Sequence, residues 1–141
     1  MTSESVPSVV EVKIPSKPEF VGVARLAILG VASRMQFSYD EVEDIRLAVG
    51  EACATAVERA IRADKTDTDI TIRSEISGGK LTIEVKDEAG HPPQPSEAAE
   101  SPAELDEQSL GALLMELLVD EFKVESTPEG GTLVTMVKHA G

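Results

Sequence analysis

Tryptophan is absent from the 141-residue sequence, and there are only three Phe and one Tyr. A chain of this length suits one domain, 1–141, with a buried core, so that core must be built from Val, Ile, Leu and Ala. Cysteine is nearly absent as well: Cys53 stands alone, which excludes an internal disulfide, and its place on an apolar stripe makes it a small core residue. Basic residues are scarce, 13 Lys and Arg against 26 Asp and Glu, and the resulting net charge of −13 would repel phosphate backbones. Direct nucleic-acid binding is therefore not expected. No apolar run is long enough to cross a bilayer, and no basic N-terminal segment leads into one, so no membrane association and a cytoplasmic location are expected.

The longest stretch with a clear helical period is 40–62, DEVEDIRLAVGEACATAVERAIR. Val42, Ile45, Val49, Ala52, Cys53, Ala56 and Ala60 recur every three or four residues and draw one apolar stripe down a helix. Asp40 is expected to cap it, with Glu41, Glu43 and Asp44 in a first turn where the helix dipole favours acids. From Leu47 to Val57 the only charged residue is Glu51. By angle Glu51 falls nearly opposite Val49, the position of a solvated residue on the back of an amphipathic helix. Leu47 shares that back face, however, and Thr55 follows one turn later, so the helix can be covered on more than one side with Glu51 and Thr55 facing a cleft. Gly50 inside the helix costs about 1 kcal/mol relative to Ala, which close approach by another backbone or a ligand would explain.

Around this helix the chain reads as an α/β domain. Residues 1–8 are polar and expected to fray. VVEVKI, 9–14, alternates as a strand that begins the sheet and would leave an exposed edge. Residues 18–35 predict a helix with Phe20, Val23, Leu26, Ala27, Gly30 and Val31 along one face, Pro18 fitting its first turn. DITIRSEI and KLTIEVK are alternating strands joined by a Ser77-Gly78-Gly79 hairpin signal, the second ending at Asp87. His91, flanked by proline, reads as a surface histidine. The segment 92–108 is rich in Pro, Ala and acids and longer than an ordinary connection; between Lys86 and Lys123 there is no Lys or Arg. SLGALLMELLVDEF predicts a helix over 110–120 with a stripe of Leu110, Leu113, Leu114, Leu117 and Leu118. FKVEST, a Pro128–Gly131 turn and TLVTMVKH close the chain as a strand pair.

The run 14–60, IPSKPEFVGVARLAILGVASRMQFSYDEVEDIRLAVGEACATAVERA, resembles the N-terminal half of the bacterial anti-sigma-factor serine kinases of the RsbW and SpoIIAB type, within the GHKL superfamily of ATPases. VKDEAG, SLGALLMELLVDEF and GGTLVTMVKH extend the resemblance in order over nearly the whole chain. It implies an α/β two-layer sandwich, a mostly antiparallel mixed sheet with helices on one face, and ATP with Mg²⁺ between the helices and a lid at 92–108. It implies Glu51 as the general base that takes the proton from an attacking serine hydroxyl, and Thr55 at the position of the family's Mg²⁺-binding Asn. Asp87 matches the adenine-binding Asp. Gly90 belongs to its loop, Ser109, Leu110 and Gly111 match the phosphate-binding glycine box at a helix N-terminus, and Thr132 completes the nucleotide contacts. The implied partners are a sigma factor, which the protein would sequester, a STAS anti-anti-sigma protein, which it would phosphorylate on serine, and a second copy in a homodimer.

Thr55, Ala89, His91 and Ser109 depart from the family pattern, and the lid carries no cation. These changes touch the metal site, the adenine loop and the phosphate loop together. They leave open an alternative, a binding-only switch on the same fold with nucleotide binding weakened or lost.

Overall fold

The computed structural model describes residues 7–89 and 107–140. Its elements are β1 (Ser8–Pro15), a 3₁₀ turn (Pro18–Phe20), α1 (Val21–Ala32), α2 (Tyr39–Arg62), β2 (Asp69–Ser77), β3 (Lys80–Asp87), α3 (Glu107–Leu118), β4 (Glu121–Ser126) and β5 (Thr132–His139). The strands form one sheet in the order β1-β2-β3-β5-β4. All four pairings are antiparallel. Alternation along the strands turns Ile70, Ile72, Leu81, Ile83, Val85, Val134 and Met136 into the core, as a period of two requires. On the other face Arg73 lies 3.1 Å from Glu75 and 3.7 Å from Glu84. That face is polar, so helices need cover only one side, and the two-layer arrangement follows.

α2 is the central helix of that layer, packed between α1 and α3, with α1 over β1 and β2 and α3 beside β4. Its inner side is built from Ile45, Ala48, Val49, Ala52, Cys53, Ala56, Val57 and Ala60, all buried. No aromatic ring is fully buried among the described residues; Phe37 and Phe122 only pack against the edge of the core, and Tyr39 is 78% exposed. The aliphatic core expected from composition is present. Cys53 belongs to it, and burial pushes its thiol up to about 12, which makes it inert as a nucleophile. Among the described residues no helix is long and apolar enough to cross a membrane.

Several local expectations are corrected. Ser38, not Asp40, caps α2: its hydroxyl accepts from the Glu41 backbone N–H at 3.1 Å, while the Glu41 carboxylate accepts from the Ser38 N–H at 2.8 Å. This reciprocal pair satisfies two orphan donors at once, which a lone Asp cannot do. The buried face of α1 is Val21, Ala24, Ile28, Val31 and Ala32, whereas Val23 and Leu26 on the expected stripe are 49% and 71% exposed. The hairpin forms as expected, Gly78 and Gly79 both taking positive φ, 58° and 77°, between the paired Ser77 and Lys80. Two central residues with positive φ define a type I′ turn. Helix α3 begins at Glu107, within the segment expected as a lid; the rest of that segment, with Gly90 and His91, lies outside the described residues, as do residues 1–6.

Candidate functional site

α2 carries three polar residues four apart along one stripe, Glu51, Thr55 and Arg59; Glu51 meets α3, Arg59 meets the end of β3, and Thr55 bonds back to its own helix. Glu51 faces α3. There an added Cβ on Gly111 would run into the Glu51 carboxylate, with the Cδ at 3.1 Å and Cγ at 3.2 Å. The Glu51 carboxylate can lie against α3 here only because residue 111 has no side chain. Beside this contact opens a cavity of about 380 Å³ lined by Glu51, Ala54, Thr55, Glu58, Leu110, Gly111 and Leu114, a size within the range of small-molecule sites. Burial pushes the Glu51 carboxyl above its ordinary value of 4.5, and the Glu58 carboxylate, two turns along the same cavity, adds to the rise. Desolvation and a like charge both disfavour the ionised form.

Thr55 is buried and its hydroxyl donates to the Ala52 carbonyl at 3.0 Å. With its proton directed there, the oxygen meets a metal only as a lone-pair donor, the role a neutral ligand to Mg²⁺ performs. The donor set on this wall, one hydroxyl and two carboxylates, consists of hard oxygens that fit a hard cation.

Arg59 is the residue that sequence reasoning missed. Its Nε and Nη2 donate to Asp87 Oδ2 at 3.1 and 2.7 Å, and Asp87 Oδ1 accepts from the Ala89 N–H at 3.0 Å. Asp87 is fully buried, and no buried side-chain polar atom among the described residues lacks a partner. An Arg inside an apolar stripe was a signal, since a guanidinium stays buried only when paired, but the sequence does not say with what. Asp87 ends β3 opposite Thr132 of β5, and an added Cβ on Gly131 would run into the Asp87 carbonyl oxygen, so the two strands pinch together where the carboxylate is held.

The structure therefore brings Glu51, Thr55, Leu110 and Gly111 to one cavity, and sets Asp87 beside Thr132 at a strand end, joined to α2 through Arg59. Ser109 lies in the first turn of α3. Gly111 lies a full turn inside that helix, not at its start, so the backbone N–H groups without intrahelical partners belong to residues 107–110. Gly50 also has an answer other than a ligand: the Arg25 side chain of α1 crosses over it, Nη1 lying 3.0 Å and Cδ 3.2 Å from where a Cβ would stand.

Residues 14–138 match the family described as histidine kinase-like ATPase domain. The serine-protein kinase RsbW of Bacillus licheniformis is 40% identical over 137 residues, covering 92% of this chain and 84% of the relative. That of Bacillus subtilis is 38% identical over 141 residues with the same coverage. In fold the chain is similar to the crystal structure of the RsbU and RsbW domains of Rv1364c from Mycobacterium tuberculosis, with a TM-score of 0.69 at 18% identity, over 94% of this chain and 32% of that one. The chain belongs to the histidine kinase-like ATPase domain family and, within it, to the RsbW serine-protein kinases.

Proposed function

We propose that this protein is an anti-sigma factor and an ATP-dependent protein serine kinase, which sequesters a sigma factor and phosphorylates a STAS anti-anti-sigma protein. The observation that carries the reading is Glu51: a carboxylate at the mouth of a cavity, drawn up by burial, and held against a helix whose Gly111 leaves it room. A carboxylate with a raised pKa is matched to removing a proton from a serine hydroxyl near neutral pH. Glu51 would accept that proton as the serine oxygen becomes nucleophilic. Thr55 would hold Mg²⁺, the N–H groups of Ser109 and Leu110 at the start of α3 would take phosphate oxygens, with Gly111 giving the space, and Asp87 would accept from the adenine amine, with Thr132 beside it; Gly90, also assigned to the base by resemblance, lies outside the described residues. When bound, ATP with Mg²⁺ supplies the phosphoryl group and neutralises the charge of its own phosphates among these acids.

Surface features support the reading of protein partners. Val23 and Leu26 stand exposed on α1, giving apolar area to a protein ligand, and the negative charge of the chain keeps it off nucleic acid. β1 is an edge strand with Val9 and Val10 exposed; a second copy seated there in a homodimer would cover it.

One observation favours the alternative, a binding-only switch: among the described residues the cavity beside Glu51 is lined by two carboxylates and no Lys or Arg, so no side-chain cation there meets a triphosphate. The two readings separate when the purified protein is incubated with labelled ATP, magnesium and a STAS protein that carries the target serine. Label on the serine supports the kinase; sigma binding with no label under magnesium or manganese supports the switch.

A further inference from the structure

We propose that Arg59 is a positioning residue for nucleotide recognition: its forked contact pins Asp87 Oδ2 while the Ala89 N–H holds Oδ1, and the carboxylate so oriented sets the preference of the site for a 6-aminopurine. The inference rests on the reading of Asp87 as the base acceptor and goes beyond it, to how that acceptor is presented. A carboxylate offers four lone-pair positions, two on each oxygen. Arg59 Nε and Nη2 both donate to Oδ2, which fills that oxygen. The Ala89 N–H takes one position on Oδ1. A base amine is left with the remaining position on Oδ1, in an orientation set jointly by the guanidinium on Oδ2 and the Ala89 N–H on Oδ1.

The consequence is chemical selection. An amine at C6 of a purine donates to Oδ1, whereas a carbonyl at C6 brings a second acceptor against an acceptor and is rejected, because a buried acceptor pair has no water to relieve it. Without the fork, Asp87 can turn about its side-chain bonds and accept from a ring N–H instead, and the distinction fades. The placement of Arg59 also ties the two ends of the site together. It lies eight residues beyond Glu51 on the same helix, about 12 Å along the axis. The helix that carries the proton acceptor therefore also supports the base reader, so the two are held in one frame.

The test is calorimetric titration of the full chain with ATP and with inosine triphosphate, in the wild type, Arg59→Gln, Arg59→Lys and Asp87→Asn. The wild type should prefer ATP. Arg59→Gln, which keeps a donor but loses the fork, should lower that preference about tenfold, the scale of one misplaced hydrogen bond, by weakening ATP while leaving inosine triphosphate nearly unchanged; a merely structural role would weaken both alike. Arg59→Lys keeps the charge and should retain the fold with an intermediate preference. If Arg59→Gln does not fold, Arg59→Lys decides alone. Wild-type preference in the folded Arg59 variants, with Asp87→Asn having lost it, overturns the role of Arg59 while the base reading stands. No preference in the wild type, or full preference in Asp87→Asn, removes the base reading and the inference together.

Discussion

Gly111→Ala places one methyl group where the Glu51 carboxylate now lies. The Cβ cannot be accommodated by a small shift, but the atoms it meets are the far end of a flexible side chain, so the carboxylate must turn away from α3. Forcing Glu51 off its present rotamer costs about 0.5–1.5 kcal/mol. Replacing a glycine inside α3 by alanine returns about 1 kcal/mol in helix propensity. The two nearly cancel, so Tm should hardly move. Catalysis is another matter, since a base displaced by an ångström or more loses roughly 10²-fold in rate. Nucleotide affinity should be kept, because the substitution leaves every backbone N–H in place. Thermal unfolding, ATP calorimetry and transfer of labelled phosphate to a STAS protein measure the three quantities on one sample. In a Glu51→Ala background Gly111→Ala should cause no further fall in transfer, because there is no carboxylate left to displace. Unchanged transfer in Gly111→Ala, or a full loss repeated in the Glu51→Ala background, would refute the link between the two residues.

Asp87→Ala strands the buried Arg59 guanidinium and should cost about 3–5 kcal/mol in urea unfolding, whereas Asp87→Ala with Arg59→Met should recover much of it. The folded state raises the Glu51 pKa above 4.5, so it binds the proton more tightly than the unfolded chain does. Ionised Glu51 is therefore a cost, absent below the ordinary carboxylate value and complete once pH exceeds the raised one. Glu51→Gln should be more stable than the wild type at pH 7, with the difference vanishing in acid; a difference that grows on acidification has the wrong sign. Phosphate transfer should rise with pH through a midpoint above 4.5. Light scattering at micromolar concentration should show a dimer, and substitution of Val9 and Val10 by Lys should shift it to monomer; a wild-type monomer would count against the β1 interface.

What could be read from the sequence depended on whether local pattern or distant contact decided it. α2 was legible because Val42, Ile45, Val49, Ala52, Cys53, Ala56 and Ala60 recur at helical spacing, and the β2–β3 hairpin because two glycines at a strand break permit little else. The face of α1 was not, since VGVARLAILGVA holds a single charged residue, Arg25, and a helix apolar all round has no period to choose by. Ser38 and Asp40 are both good caps, and only the reach of Glu41 back to the Ser38 N–H decides between them. The site was half legible. Glu51 and Thr55 share a helix face by spacing, and both line the cavity. That Gly111 makes room for Glu51, and that Arg59 closes on Asp87 28 positions away, belong to packing between elements, about which periodicity is silent.

The kinase reading rests most directly on the loss of transfer in Glu51→Ala. Labelled phosphate reaching the serine of a STAS protein should fall by roughly 10² to 10⁴ relative to the wild type, the range for an acid/base group. Sigma binding and Tm should stay intact, because alanine is a good helix former and removes a carboxylate that burial disfavours. Full transfer by Glu51→Ala would contradict the account and assign the proton to another group.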